Sequence, residues 1–301
     1  TATKVYSEMI GNIARDALSS QKYYHFIKLM GRSASHIALE CALQTQPNLV
    51  LIAEEKKSLK ESVEEIVNLI LERAKKNKQW GVILLPEGLI EFMPEMATLI
   101  AELSSTKEEL FSQPSLQVWN ALPDNIRRQL RQDRDPHGNV NVSSIQTEEL
   151  LIYFVKKRLK EIDSQVKFSA VSHFLGYEGR CGFPTHFDAN YCYSLGITAA
   201  LLIYRNYTSY LCAISQLEQP VENWTIGAVP LISLMHKELR NGREKPVIAK
   251  RLVDLEGKPY LRYQKHKQQW KEQDCYLFTG PIQFFGPSLL TERPPEILRT
   301  I

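Results

Sequence analysis

Apolar residues recur at helical spacing from Lys4 to Leu18, at Val5, Met9, Ile13 and Ala17, and predict a helix. Tyr23 to Leu29 is dense in aromatic and β-branched residues and stops at Gly31, which predicts a strand. A second helix is expected over Ser33–Leu43. The short apolar run Asn48–Ala53, bounded by Pro47 and a charged stretch, predicts a buried strand. Ser58 and Glu61 then form a Ser-x-x-Glu capping box ahead of an apolar stripe at Leu59, Val63, Ile66, Val67, Ile70 and Leu71. Arg73, Lys75 and Lys76 close that helix with charges suited to the negative end of its dipole. Gly81–Leu85 follows as another buried strand and ends at Pro86-Glu87-Gly88.

Strands alternating with helices of this length imply a parallel sheet joined by crossovers, an α/β class. The period changes at Pro94. Up to Gln146 the chain carries Pro114, Pro123 and Pro136 among short helical patches, and it reads as a mostly helical insertion. The alternation resumes with a helix at Glu148–Ile162, a strand at Lys167–Phe174, a glycine-rich turn and a helix at Asn190–Arg205. A strand is expected at Tyr207–Ala213, followed by an irregular end rich in Gly and Pro. The expected organisation is therefore an α/β first part over 1–93, the insertion over 94–146, an α/β second part over 147–206, and a carboxy-terminal strand and irregular tail over 207–301.

Composition narrows the classes. With 44% hydrophobic and 24% charged residues, the chain resembles an average globular protein rather than a disordered or collagen-like one. No apolar run approaches the roughly 18 residues of a transmembrane helix, so no membrane partner is expected. Basic residues exceed acidic ones by 37 to 34, without a concentrated stripe or aromatic platform, and no nucleic-acid partner is expected. Lys156, Lys157, Arg158 and Lys160 fall on an amphipathic helix and read as its solvated face. Cys41, Cys181, Cys192, Cys212 and Cys275 show no CxxC spacing, and the histidines show no HExxH. No metal site is expected, and the thiols read as those of a cytoplasmic protein. There is no signal-peptide pattern. Thr1 stands within the first predicted helical region without a preceding Met, which suggests a piece of a longer protein.

In an open parallel sheet ligands bind at the carboxyl ends of strands. Three segments fall there: Met30-Gly31-Arg32, Pro86-Glu87-Gly88 and Gly176-Tyr177-Glu178-Gly179-Arg180. Each pairs a glycine with a charged side chain. Arginine binds phosphate bidentately and a carboxylate accepts from sugar hydroxyls, so the set suits a phosphorylated sugar or another carbohydrate. Each loop alone is also ordinary punctuation. Glu178 fits a surface charge, His36, Glu40 and Cys41 fit core packing, and His173 and His186 fit structural roles. There is no G-x-x-x-x-G-K-[ST], and no G-x-G-x-x-G follows a strand.

Taken in order, longer motifs resemble a known family. Lys22-Tyr23-Tyr24-His25-Phe26-Ile27-Lys28-Leu29-Met30-Gly31-Arg32, Ser33-Ala34-Ser35-His36-Ile37-Ala38-Leu39-Glu40-Cys41 and Pro86-Glu87-Gly88-Leu89-Ile90-Glu91 are similar to segments of long-type pyrophosphate-dependent phosphofructokinases. So are Gly176-Tyr177-Glu178-Gly179-Arg180-Cys181-Gly182, Phe187-Asp188, Tyr191–Gly196, Gly280–Phe284 and Gly286-Pro287. The resemblance runs through nearly all of the chain, insertion included.

It implies a phosphofructokinase-like parallel-sheet sandwich that supplies the sugar-phosphate site. The implied reaction is reversible phosphoryl transfer from pyrophosphate to the 1-hydroxyl of fructose 6-phosphate, a glycolytic step using Mg2+. By the same resemblance Met30, Gly31 and Arg32 contact the sugar phosphate, Glu87 accepts from sugar hydroxyls, and Tyr177 and Arg180 hold the 6-phosphate. Lys22 and Tyr23 reach the site of a neighbouring subunit, which implies a homodimer or a higher oligomer. ATP-dependent relatives usually carry histidine at the Tyr177 position, so the tyrosine favours the pyrophosphate branch. The family's Gly-Gly-Asp donor loop and its Pro-Lys-Thr-Ile-Asp-Gly-Asp segment, with the catalytic aspartate and lysine, belong upstream of Thr1. Magnesium is expected to be held there, and the 301-residue chain by itself is expected to turn over negligibly. A non-catalytic sugar-phosphate-sensing subunit, or an ATP-dependent enzyme of the same superfamily, would carry the same acceptor motifs.

Overall fold

The structure is a computed structural model and describes residues 1–299 except Ser33, 106–110, 133–139, 163–164 and 241–242. Ser33 and Pro136, each part of a sequence-based expectation, lie outside the described residues. The chain folds as α1 (Ala2–Ser20), β1 (Tyr24–Leu29), α2 (His36–Thr45), β2 (Leu49–Val50), α3 (Leu59–Ala74) and β3 (Gly81–Pro86). Four helices follow, α4 (Leu89–Phe92), α5 (Pro94–Ser105), α6 (Gln113–Ala121) and α7 (Asp124–Gln132). After α8 (Thr147–Glu161) and β4 (Ala170–Leu175) come α9 (His186–Tyr204), β5 (Tyr210–Ser215), β6 (Thr225–Pro230), β7 (Met235–Arg240) and β8 (Arg243–Ile248). The last helices are α10 (Lys258–Glu272) and α11 (Ser288–Thr291).

Two compact units result. The larger comprises residues 2–181 and 252–280, and the smaller comprises Thr1, 182–251 and 281–301. In the larger unit β2, β3, β1 and β4 form a single parallel sheet in that order. Every residue of β1 and β3 is buried, as both faces of a covered parallel sheet require. Alternation divides them. Tyr24 and Phe26 of β1 and Ile83 and Leu85 of β3 enter the core built with α3 and α8. The intervening positions face the opposite side, where α1 and α2 pack on β1 and β3.

The helical insertion joins the first of these cores. Met96, Leu99 and Leu103 of α5, Trp119 of α6, and Ile126 and Leu130 of α7 share it with Val63 and Ile66 of α3. α3 begins with the expected capping box: Ser58 accepts from the Glu61 N–H, and Glu61 accepts from the Ser58 N–H at 2.8 Å.

Several expectations shift. The stripe buried on α1 is Tyr6, Ile10, Ala14 and Ala17: Ala17 is as predicted, the others lie one position along, and Val5, Met9 and Ile13 are half-buried at its margin. The apolar run from Asn48 pairs as a strand only over Leu49–Val50, with Leu51 N–H still donating to the Leu84 carbonyl at 2.9 Å, before a 3-10 turn at Ala53–Glu55. The tail is less irregular than its Gly and Pro content suggests. α10 presents Tyr260, Tyr263 and Trp270 to the larger unit and packs on α2, α3 and β2. Its remaining positions are so polar that three widely spaced aromatics leave little periodic signal.

In the smaller unit α9 packs on the antiparallel hairpin β5–β6, with Phe187, Tyr191 and Trp224 clustered at ring separations of 5.5–6.4 Å. Strands β7 and β8 form a second antiparallel pair. Thr185 caps α9 by accepting from the Asp188 N–H at 3.2 Å.

Candidate functional site

The three strands that carry the candidate loops are neighbours in the sheet, in the order β3, β1, β4. Leu29 lies level with Pro86 on one side and with Leu175 on the other, so the strands end together. Ladder-like bonds continue one step further, with Met30 N–H donating to the Leu175 carbonyl at 3.1 Å and Glu87 N–H to the Leu29 carbonyl at 2.8 Å. Met30, Glu87 and Gly176 therefore stand side by side at the carboxyl edge. Parallel pairing alone forces this convergence, since each segment directly follows its strand.

The side chains then tie the loops to one another. Glu87 is buried, and one of its carboxylate oxygens accepts from the Gly31 N–H at 3.1 Å. A carboxylate offers about four lone-pair positions, so capacity remains for a ligand hydroxyl. Arg180 places Nε 3.1 Å from Met30 Sδ, and its guanidinium stands 5.0 Å over the Tyr177 ring. Tyr177 itself is 73% exposed. Arg32 is partly exposed, with Nε 4.0 Å from Glu91 Oε1. Gly31 has φ +138°, a conformation that L side chains rarely adopt, and this lets the chain reverse between Met30 and Arg32.

The turn after β4 is also held from beneath. The Gly176 N–H donates to Glu178 at 2.8 Å, while the buried Tyr6 hydroxyl donates to the Gly176 carbonyl. Glu178 is exposed, as the sequence suggests, and also closes its own turn. Burial and the nearby Glu178 carboxylate push the Tyr6 phenol up to about 12, so it remains a donor at any ordinary pH.

Met30, Gly31, Arg32, Glu87, Tyr177 and Arg180 therefore come together. Lys22 and Tyr23 do not join them. They precede β1 at the amino end of the sheet, and a six-residue strand spans about 20 Å. Both are exposed there, with Tyr23 39% accessible. Glu40 and Cys41 are buried in α2, and His173 stacks on His25, 3.0 Å away, within the sheet unit. Among the described residues no group of three or more His, Cys, Asp or Glu comes together as a metal-holding cluster. No described helix is long and apolar enough to cross a membrane.

Sequence reading missed Tyr6 altogether. Its signal was weak, because a tyrosine one position off the predicted stripe of α1 looks like helix surface. Chemically, guanidinium groups pair well with phosphate oxygens and a carboxylate accepts from hydroxyls.

The chain is also similar in sequence to known proteins. The chain is 48% identical over 322 residues to a protein of Entamoeba histolytica named pyrophosphate–fructose 6-phosphate 1-phosphotransferase, covering 99% of this chain and 59% of that one. A protein of the same name from Treponema pallidum is 47% identical over 327 residues, covering 99% and 57% respectively. The beta subunit so named from Ricinus communis is 48% identical over 307 residues, covering 95% and 55%. The chain thus spans a little over half the length of these curated relatives. A family profile described as phosphofructokinase matches residues 1–203, which include every strand of the parallel sheet and all three loops at its edge, and by that match the chain belongs to the phosphofructokinase family.

Proposed function

We propose that this chain supplies the fructose 6-phosphate side of a pyrophosphate-dependent phosphofructokinase, which transfers a phosphoryl group reversibly between pyrophosphate and the sugar 1-hydroxyl. The observation that carries this reading is the convergence of Arg32, Glu87 and Arg180 on loops that end three adjacent parallel strands. The guanidinium groups of Arg32 and Arg180 would take the 6-phosphate, with Tyr177 beside them. Glu87, held through Gly31, would orient the sugar by accepting from its hydroxyls.

Binding at the 6-position holds the sugar while its other end is presented for transfer, so this chain's residues position and the donor side performs the chemistry. Magnesium, which neutralises pyrophosphate in such a reaction, would be held by donor-side residues rather than by those described here. A glycolytic role and a cytoplasmic setting are part of the same proposal. Lys22 and Tyr23, at the far end of β1, would complete the site of a second subunit, which makes the working form at least a dimer. Sedimentation of the complete protein as a monomer would remove that element.

Calorimetric titration with fructose 6-phosphate, with and without magnesium pyrophosphate, tests the assignment. Saturable sugar-phosphate binding is expected, and Arg180→Ala should weaken it by about 10- to 100-fold, the loss of a charge-assisted hydrogen bond worth roughly 1.5–3 kcal/mol. Unchanged affinity in Arg180→Ala would refute the site.

A further inference from the structure

Tyr177 and Arg180 sit on a four-residue 3-10 turn, and both side chains are largely exposed. Arg180 reaches Met30, and the backbone of the turn is held by partners of its own, beginning with the Cys181 N–H on the Glu178 carbonyl at 3.3 Å. The Gly176 carbonyl accepts from the Gly179 N–H at 3.3 Å within the turn and from the Tyr6 hydroxyl across from α1. The Gly176 N–H is taken by Glu178 at 2.8 Å. Gly179 lies directly on the Tyr6 ring, where a Cβ would come within 2.4 Å of Cζ.

Tyr6 is itself fully buried on a 19-residue helix, and so cannot yield to the turn. The ring is a floor and its hydroxyl a peg. The Tyr6 hydroxyl bond to the Gly176 carbonyl and the Gly179 backbone lying on its ring place Tyr6 beneath the turn after β4.

We infer that Tyr6, assisted by Glu178, is a positioning residue for the sugar-phosphate site, fixing the turn so that Tyr177 and Arg180 present themselves together to the phosphate. The inference rests on the sugar-phosphate reading of these loops. Tyr6 touches no substrate in this scheme. It lowers the ordering cost that a ligand would otherwise meet on binding an unfixed turn.

The test is steady-state kinetics of the complete protein carrying Tyr6→Phe, Glu178→Gln, Arg180→Ala, or Tyr6→Phe with Arg180→Ala. Tyr6→Phe keeps the floor and removes the peg. It should raise the KM for fructose 6-phosphate roughly three- to tenfold, the scale of one neutral hydrogen bond, and leave the KM for pyrophosphate unchanged. Glu178→Gln should act in the same direction. The double variant should show less than the product of the two single effects, because a turn without its arginine gains from being held only through Tyr177.

A merely structural tyrosine would instead lower the melting temperature and the active fraction, with both KM values unmoved. A raised sugar-phosphate KM in Tyr6→Phe or Glu178→Gln supports the inference. An unchanged KM in both, with a raised KM in Arg180→Ala, overturns it and leaves the site reading standing. If Tyr6→Phe does not fold, Glu178→Gln decides by the same criterion. An unchanged KM in Arg180→Ala would overturn the site reading and this inference together.

Discussion

Gly88 has no room for a side chain, because a Cβ there would lie 2.1 Å from the Arg32 carbonyl oxygen. The loops after β1 and β3 are thus in backbone contact, and glycine permits the approach rather than merely punctuating the strand. A second residue-scale feature concerns pH. His25 is 4% exposed on β1, facing His173 at 3.0 Å and Asp16 at 3.9 Å. Burial, with the neighbouring His173 adding to it, lowers its pKa from 6.5 to about 4. The folded protein therefore keeps His25 neutral while the unfolded chain protonates it below pH 6.5. The unfolded state binds the extra proton, so stability falls as pH drops through 6.5 and the loss is complete near 4. At about 1.4 kcal/mol per pKa unit, the loss is at most roughly 3 kcal/mol. Urea denaturation of wild type and His25→Gln between pH 7 and pH 4 measures it, and the variant should show the flatter curve.

Among the elements, α3 is the one whose end means something different in three dimensions. Arg73 in its last turn suits the helix dipole by sequence, but the structure buries it to 1% exposure. There it donates to Asp274 at 2.7 Å, to the Trp80 carbonyl at 2.9 Å and to the Lys271 carbonyl at 3.2 Å. Burial alone would raise the Asp274 carboxyl, but the hydrogen bond from Lys78 at 2.9 Å and the Arg73 guanidinium beside it hold it below its usual range. Removing the carboxylate would leave a buried cation without its counter-charge. Asp274→Ala should therefore cost roughly 3–5 kcal/mol in chemical denaturation, more than the 0–1 kcal/mol typical of an exposed ion pair. A loss within the surface range would show that the pair is not buried in solution.

For the molecule as a whole, α10 closes the sheet unit although some 70 residues of the smaller unit come between it and β4. Tyr263 hydrogen-bonds the Val50 carbonyl at 3.2 Å, the Trp270 carbonyl accepts from Asn48, and Tyr276 donates to the same Asn48 side chain. A chain ending at Arg251 would lose these aromatics and uncover α2, α3 and β2 together. Burying one aromatic contributes about 1.5–3 kcal/mol, so loss of three would consume most of a domain's stability. Such a chain should lose its cooperative thermal transition, followed by circular dichroism. A retained transition would mean that residues 2–181 fold without the tail. In the smaller unit Tyr193, Ile197, Leu201, Ile203 and Tyr204 of α9 are exposed.

The sequence by itself determined the alternation of strands and helices, the parallel class, the α3 capping box and the three loops that make the site. Each is local: a strand, a cap or a Gly-Arg turn is written in consecutive residues. Only the tertiary structure decided that α1 presents Tyr6 rather than its neighbours, that Glu178 closes a turn, that Arg73 is a buried ion-pair partner, and that a polar tail helix completes the core. Those outcomes depend on groups far apart in the chain, Tyr6 with Gly176 and Arg73 with Asp274 among them. Periodicity records which face of an element is apolar. The partner that covers that face, and the polar group it must satisfy there, exist only once the chain has folded.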